Sequence, residues 1–211
     1  MDNTDRPRKI GILGGTFNPI HIGHLLLAQN AMEYCDLDEV LIMPSGVSYL
    51  KDPDEIAATR HRVNMVKHAI EGNDGFVLST IESERKGNSY TYETLGELVK
   101  EHPDVSYHYI IGADTLFSIE NWKNPDRIFD KCTIVCARRD GHSDRSLNEQ
   151  RAYLEEKFNA HIIIMDVPET EISSSFIRNM LAMNKSCRYY LDDKVREYIK
   201  VNGLYGFDSN R

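Results

Sequence analysis

Residues 9–44 read KIGILGGTFNPIHIGHLLLAQNAMEYCDLDEVLIMP. Lys9–Leu13 has the short apolar character of a buried strand, Ile22–Cys35 the length and spacing of a helix, and Glu39–Met43 that of a second strand ended by Pro44. The alternation continues along the chain. Ala57–Glu71 is helical through Val63, Val66 and Ile70, Phe76–Ser79 is strand-like, Glu93–Glu101 helical and Tyr107–Ile111 a fourth strand. Short helical pieces at Thr115–Ile119 and Pro125–Phe129 precede a fifth strand at Cys132–Ala137, a helix at Leu147–Phe158 and a strand at Ile162–Met165. Helices at Ser174–Leu181 and Asp192–Val201 follow.

This order predicts an α/β fold, a doubly wound parallel sheet with helices on both faces and a helical C-terminal tail. The 211 residues are expected to form one domain, with a core over about 9–185 and a tail over about 186–211. There is no internal repeat or low-complexity linker, and the polar stretch Arg138–Ser146 reads as a mobile insertion whose Arg138 and Arg139 either close over a bound ligand or face solvent, the second being preferred. In open sheets of this kind ligands gather beyond the carboxyl ends of the strands, so the loops after strands one, two and four should carry the chemistry.

Composition narrows the partners. Lys and Arg number 25 against 33 Asp and Glu, a net charge of −8, which argues against a nucleic-acid coat but leaves room for a locally positive pocket. No apolar run has the roughly 20 residues of a membrane span, and Met1–Lys9 lacks the apolar core of a secretory leader. Cys35, Cys132, Cys136 and Cys187 form no CxxC pair. Cys132 and Cys136 read as one strand, about 13 Å apart and too far for a disulfide, so reduced structural thiols and a cytoplasmic protein are expected.

The first loop, Gly14-Gly15-Thr16-Phe17-Asn18-Pro19-Ile20-His21-Ile22-Gly23-His24, combines a glycine pair at a strand end with the start of a helix. Backbone amides there can approach an anion closely, and the helix points its positive end at the same space. His21 and His24, three apart, share a face and can each donate to a phosphate oxygen. The pair is also half of a metal site, but no Cys, Asp or Glu lies within a turn to complete one, so no protein-held metal is expected. Near the C-terminus, Ser173, Ser174 and Ser175 open a helix and Arg178 follows one turn on, a second group suited to phosphate, or a plain N-cap with a solvated arginine.

Gly14–His24 resembles the HxGH signature of the nucleotidylyltransferase superfamily, and Ile172–Arg178 resembles its serine-rich second motif. Ser89-Tyr90-Thr91-Tyr92-Glu93-Thr94-Leu95 and Ile111-Gly112-Ala113-Asp114, with Trp122 beyond, resemble strings of the bacterial nicotinate mononucleotide adenylyltransferases. The likeness runs from about Lys9 to Tyr205, four motifs in the family's order. It implies a Rossmann-like core and transfer of AMP from ATP, with Mg²⁺ carried on the phosphates, to nicotinate mononucleotide. Deamido-NAD and pyrophosphate would be the products. It further implies His21, His24 and Arg178 as catalytic groups, and Gly14, Gly15, Thr16, Phe17, Ser173, Ser174, Ser175 and Lys51 as ATP or phosphate ligands. Thr91, Gly112, Asp114, Trp122 and Lys123 would bind the acceptor, with backbone N–H groups around Thr91 and Lys123 taking its carboxylate.

Each of these has a plainer role too. Trp122, the sole tryptophan, suits ring stacking or the core, and Asp114 suits a ribose hydroxyl, magnesium or an N-cap. One departure stands out: the family's Pro-Pro-His-Lys-like stretch is here Pro44-Ser45-Gly46-Val47-Ser48-Tyr49-Leu50-Lys51, without the histidine. Nicotinamide mononucleotide or phosphopantetheine as acceptor, and a non-catalytic nucleotide-binding module, are the competing functions. Trp122 and the Ser89–Thr91 string speak against phosphopantetheine, and intact His21, His24 and Arg178 against the module. The oligomeric state, homo-oligomer included, is left open.

Overall fold

The computed structural model describes residues 6–46, 56–138, 144–168 and 171–207. Its six strands are β1 (Lys9–Gly15), β2 (Glu39–Pro44), β3 (Phe76–Leu78), β4 (Ser106–Gly112), β5 (Thr133–Arg138) and β6 (Ile162–Asp166). They form one sheet in the order β3-β2-β1-β4-β5-β6, with helices around it, as the alternating pattern requires. The helices are α1 (Ile22–Cys35), α2 (Thr59–Ala69), α3 (Thr91–Glu101), α4 (Ala113–Leu116), α5 (Pro125–Phe129), α6 (Asp144–Phe158), α7 (Ser174–Ala182) and α8 (Asp193–Val201). A 3₁₀ turn at Leu204–Gly206 follows α8.

The chain packs into two compact units. The first comprises residues 1–13, 28–41 and 90–169. Here β4 pairs in parallel with β1 and β5, and β5 with β6, in registers Gly11 with His108, Ile110 with Val135 and Val135 with Ile163. The five interior residues of β4, Tyr107–Ile111, are all buried, as a strand covered on both faces must be. Pro125 opens α5 at the position where its missing N–H costs nothing.

The second unit comprises residues 14–27, 42–89 and 170–211. Its helices show their caps clearly. Ser173 Oγ accepts from Phe176 N at 3.2 Å and Asp192 Oδ1 from Lys194 N at 2.8 Å. Ile177 and Leu181 on α7, and Val195 and Ile199 on α8, are buried pairs spaced by four.

Several expectations shift. Cys132 lies just ahead of β5 rather than in it, because Thr133 makes the first ladder pairing. All four cysteines are free and buried, and burial pushes the Cys132 and Cys136 thiols up to about 12, chemically quiet as expected of structural sulfur. Arg138 ends β5 instead of opening a loop, and its Nε lies 3.2 Å from Asp166 Oδ1 on β6. Arg139 lies outside the described residues.

Candidate active site

The loop after β1 lies in the second unit. Gly15 lacks a side chain because a Cβ there would sit 2.9 Å from the Phe17 ring, which folds back under the loop and is 2% exposed. Phe17 itself has a positive φ of 47°, a turn an aromatic residue adopts only when packing holds it. His21 immediately precedes α1 and His24 is its third residue, so the rings come together as the spacing predicts, with centroids 3.7 Å apart. The backbone N–H of His21 donates to His24 Nδ1 at 3.2 Å, so Nδ1 is the acceptor nitrogen and Nε2 carries the proton. The Phe17 ring meets His24 edge-on at 5.0 Å and limits its rotation.

What shapes this loop is a set of donors aimed at its carbonyls. Ser45 N donates to Gly15 O at 2.9 Å, Arg62 Nη1 to Thr16 O at 2.9 Å, Arg178 Nη1 to Asn18 O at 3.0 Å and Ser174 Oγ to Pro19 O at 2.9 Å. In a trans peptide the N–H points opposite to the preceding C=O. With the carbonyls of Gly15, Thr16 and Pro19 held by these donors, the N–H groups of Thr16, Phe17 and Ile20 point the other way. The start of α1 is anchored separately, its Ile22 N–H donating to Tyr190 O at 2.9 Å.

The serine-rich motif thus divides its labour. Ser173 is the N-cap of α7, Ser174 ties that helix to Pro19, and Ser175 is exposed. Arg178 is half-buried and joined to the Asn18 carbonyl rather than solvated.

The residues expected to bind the acceptor lie in the first unit. Gly112 ends β4 and is the N-cap of α4, so Asp114 is not the cap but an exposed residue of the first turn. Thr91 is the first residue of α3, whose N-cap, Tyr90, makes no side-chain cap hydrogen bond to the helix amides. Trp122 is half-buried, its ring edge-on to Tyr109 of β4 at 6.2 Å. Lys123 is exposed, with Nζ 4.3 Å from the centroid of the Tyr90 ring. The structure therefore groups Trp122 and Lys123 with the start of α3. Lys51 lies outside the described residues.

The cytidylyltransferase-like family profile matches residues 12–180. A probable nicotinate-nucleotide adenylyltransferase of Lachnoclostridium phytofermentans is 42% identical over 94% of this chain and 99% of its own length. One from Halalkalibacterium halodurans is 39% identical over 97% of this chain and 94% of its own. The chain belongs to the nicotinate-nucleotide adenylyltransferase family. The same fold is seen in the Plasmodium falciparum nicotinic acid mononucleotide adenylyltransferase complexed with NaAD, at a TM-score of 0.79 and 20% identity over 95% of this chain and 98% of that one. A putative nicotinate-nucleotide adenylyltransferase from Vibrio parahaemolyticus aligns at 0.66 and 22% identity, covering 95% and 97%.

For this member of the nicotinate-nucleotide adenylyltransferase family, the residue that sequence reading passed over is Arg62 on α2. It is 2% exposed and donates to Ala57 O, Thr16 O, Ser45 O, Gly46 O and Thr59 Oγ1 at 2.7–3.1 Å. Burial draws its pKa below the usual arginine range. One guanidinium thus joins the loops after β1 and β2 to the entry of α2. A signal was present: Arg62 stands three and four residues before Met65 and Val66, the buried face of α2, where a charge is out of place. Asn18 and Tyr205, linked at 2.8 Å, were passed over as well.

Proposed function

We infer that the chain transfers AMP from ATP to nicotinate mononucleotide, yielding deamido-NAD and pyrophosphate. The observation that carries this reading is the loop of residues 15–20, whose carbonyls are held by Ser45, Arg62, Arg178 and Ser174, beside the stacked His21–His24 pair. The sequence match to nicotinate-nucleotide adenylyltransferases over nearly the whole chain supports the substrate class. The reading takes the chain as one nucleotidyltransferase domain, supported by a family match that runs from 12 to 180.

A phosphate oxygen of the mononucleotide attacks the α-phosphorus of ATP. The new P–O bond forms as the bond to the bridging oxygen breaks, and its electron pair leaves with pyrophosphate. The nucleophile is already anionic, so no general base is needed, and catalysis rests on positioning and charge stabilisation. The amides of Gly14–Phe17 cradle the nucleotide, and His24, with its proton on Nε2, donates to the α-phosphate beside His21. Arg178, the Ser173–Ser175 helix start and Lys51 hold the departing β- and γ-phosphates. Trp122 stacks on the pyridine ring, the amides around Thr91 and Lys123 take the carboxylate, and Gly112 and Asp114 meet the ribose.

The reading takes Mg²⁺ as arriving on the ATP phosphates rather than in a protein cage. Bound there, it would supply charge neutralisation at the phosphate oxygens. Two charge-assisted hydrogen bonds to the carboxylate, at about 1.5–3 kcal/mol each, give a preference for acid over amide of a hundredfold or more. Pyrophosphate release with Mg·ATP and, in parallel, nicotinate mononucleotide, nicotinamide mononucleotide and phosphopantetheine tests the reading. Turnover with the first alone is expected. Equal turnover with both mononucleotides removes the carboxylate argument, and none with any removes the reaction.

A further inference from the structure

We propose that Tyr205, beyond α8 and outside the span of the family match, is a positioning residue for phosphate chemistry at the loop of residues 14–24: its hydroxyl fixes the Asn18 side chain, and Asn18 in turn presents the carbonyl that Arg178 binds. The proposal rests on the reading of that loop as the ATP-phosphate site.

The hydrogen-bond directions are determined by chemistry. Asn18 Oδ1 lies 3.0 Å from Ala57 N and 2.8 Å from the Tyr205 hydroxyl. A backbone N–H can only donate, so the Asn18 atom facing it is the oxygen, and Tyr205 must donate to that same oxygen. Burial raises the Tyr205 pKa, which keeps the hydroxyl proton in place for this bond. Asn18 is 5% exposed, so its amide cannot exchange these partners freely for water. Its backbone carbonyl is taken by Arg178 Nη1 at 3.0 Å. Asn18 is thereby gripped at side chain and main chain by two residues of the C-terminal part of the unit.

Tyr205 reaches this place by an unusual route. Its φ and ψ are 61° and 28°, left-handed values that a bulky residue adopts only when its surroundings impose them, and Gly203 and Gly206 on either side are left-handed as well. This compact turn delivers the ring into the unit, where the hydroxyl also lies 4.0 Å from Met65 Sδ on α2. Tyr205, Arg178, Asn179 and Ala57 line a common cavity of about 540 Å³, so the tyrosine borders open space beside the arginine instead of being sealed in a core. A ring needed only for packing would not require its hydroxyl on Asn18.

Tyr205→Phe keeps the ring and removes the donor. Steady-state pyrophosphate release should show kcat lowered about tenfold to a hundredfold, the scale of a small misplacement at a reacting centre, with KM for nicotinate mononucleotide within about twofold of wild type. A kcat within about twofold of wild type overturns the proposal, whatever happens to the melting temperature. Asn18→Ala, with the tyrosine intact, is the second arm. It should lose a similar factor, and the double variant should lose no more than the worse single one, because both remove the same linkage. Losses that multiply overturn the proposal. Wild-type turnover is the control: its absence overturns the functional reading and the proposal with it, whereas normal wild-type turnover beside an unimpaired Tyr205→Phe overturns the proposal alone.

Discussion

Arg62→Met should cost this protein more than any surface charge change, and the structure allows the size to be worked out. The guanidinium makes five hydrogen bonds, four to main-chain carbonyls on three separate segments and one to Thr59 Oγ1. At about 1.5–3 kcal/mol for a bond to a charged group, the gross gain is roughly 7–15 kcal/mol. Holding the cation at 2% exposure offsets several kcal/mol of this. Methionine refills much of the stem volume but leaves the carbonyls of Thr16, Ser45, Gly46 and Ala57 without that donor. The net loss should be about 3–5 kcal/mol, the range for removing one side of a buried charged arrangement. At about 2–4 °C per kcal/mol for a chain of this size, the melting temperature should fall by roughly 6–20 °C. Urea denaturation gives the free energy and a thermal melt the midpoint. Arg62→Lys should fall between the two, since one ammonium with three donors cannot span all three segments. A loss under about 1 kcal/mol for Arg62→Met would show that the loops are held by something else.

Three other outcomes are expected. Gly46→Ala should destabilise by more than about 1 kcal/mol in the same urea assay, because its Cβ would lie 2.4 Å from the Glu82 carbonyl oxygen and backbone must move; an unchanged midpoint refutes this. His108 is 6% exposed and its burial lowers its pKa below 6.5, so the unfolded chain takes up the proton first as pH falls. Its stabilising share is complete above about pH 6.5 and is lost below it at up to about 1.4 kcal/mol per pH unit. His108→Leu should flatten that part of the acid stability profile, and identical acid slopes in variant and wild type count against it. His24→Ala should lower turnover by orders of magnitude while circular dichroism and melting stay close to wild type; near-normal turnover would remove the His pair from the chemistry.

The parts of this structure that follow local rules were legible in the sequence. The limits of α1 and α5 fall where the sequence puts them, because apolar spacing and Pro125 mark them. The six strands were each visible from β-rich runs between turn residues. The stacking of His21 on His24 follows from a spacing of three. Contacts to backbone acceptors were not visible, and the reason is physical. Every residue carries the same carbonyl, so nothing in the sequence marks Thr16 O or Ser45 O as the partner of Arg62, or Asn18 O as that of Arg178. Asp114 suits a cap by residue type, but the helix starts two residues earlier than that would place it and Gly112 takes the cap position. Gly203 and Gly206 announce a turn near the C-terminus, but not that its tyrosine reaches Asn18.

The buried arginine also bears on how a chain of net charge −8 can hold a locally positive loop, as the proposed function requires. A surface lysine is screened within about 8–10 Å at ordinary salt. Arg62 is enclosed, and the five hydrogen-bond partners it holds are neutral oxygens, so they orient dipoles around its charge without cancelling it. In a low-dielectric setting such a charge acts over a longer range than the same charge in water. It binds the Thr16 carbonyl, behind the amides that turn outward, and Arg178 binds the next carbonyl but one. The two guanidiniums act differently. For Arg62, bonding the Thr16 carbonyl fixes the direction of the Thr16–Phe17 peptide plane, and the retained charge raises the potential on the far side of that plane; Arg178 bonds the Asn18 carbonyl, which Pro19 follows, and so contributes its charge and its hold on the loop. An acidic composition is compatible with a locally positive loop because Arg62, the cation most firmly tied to it, is held inside the protein rather than displayed on its surface.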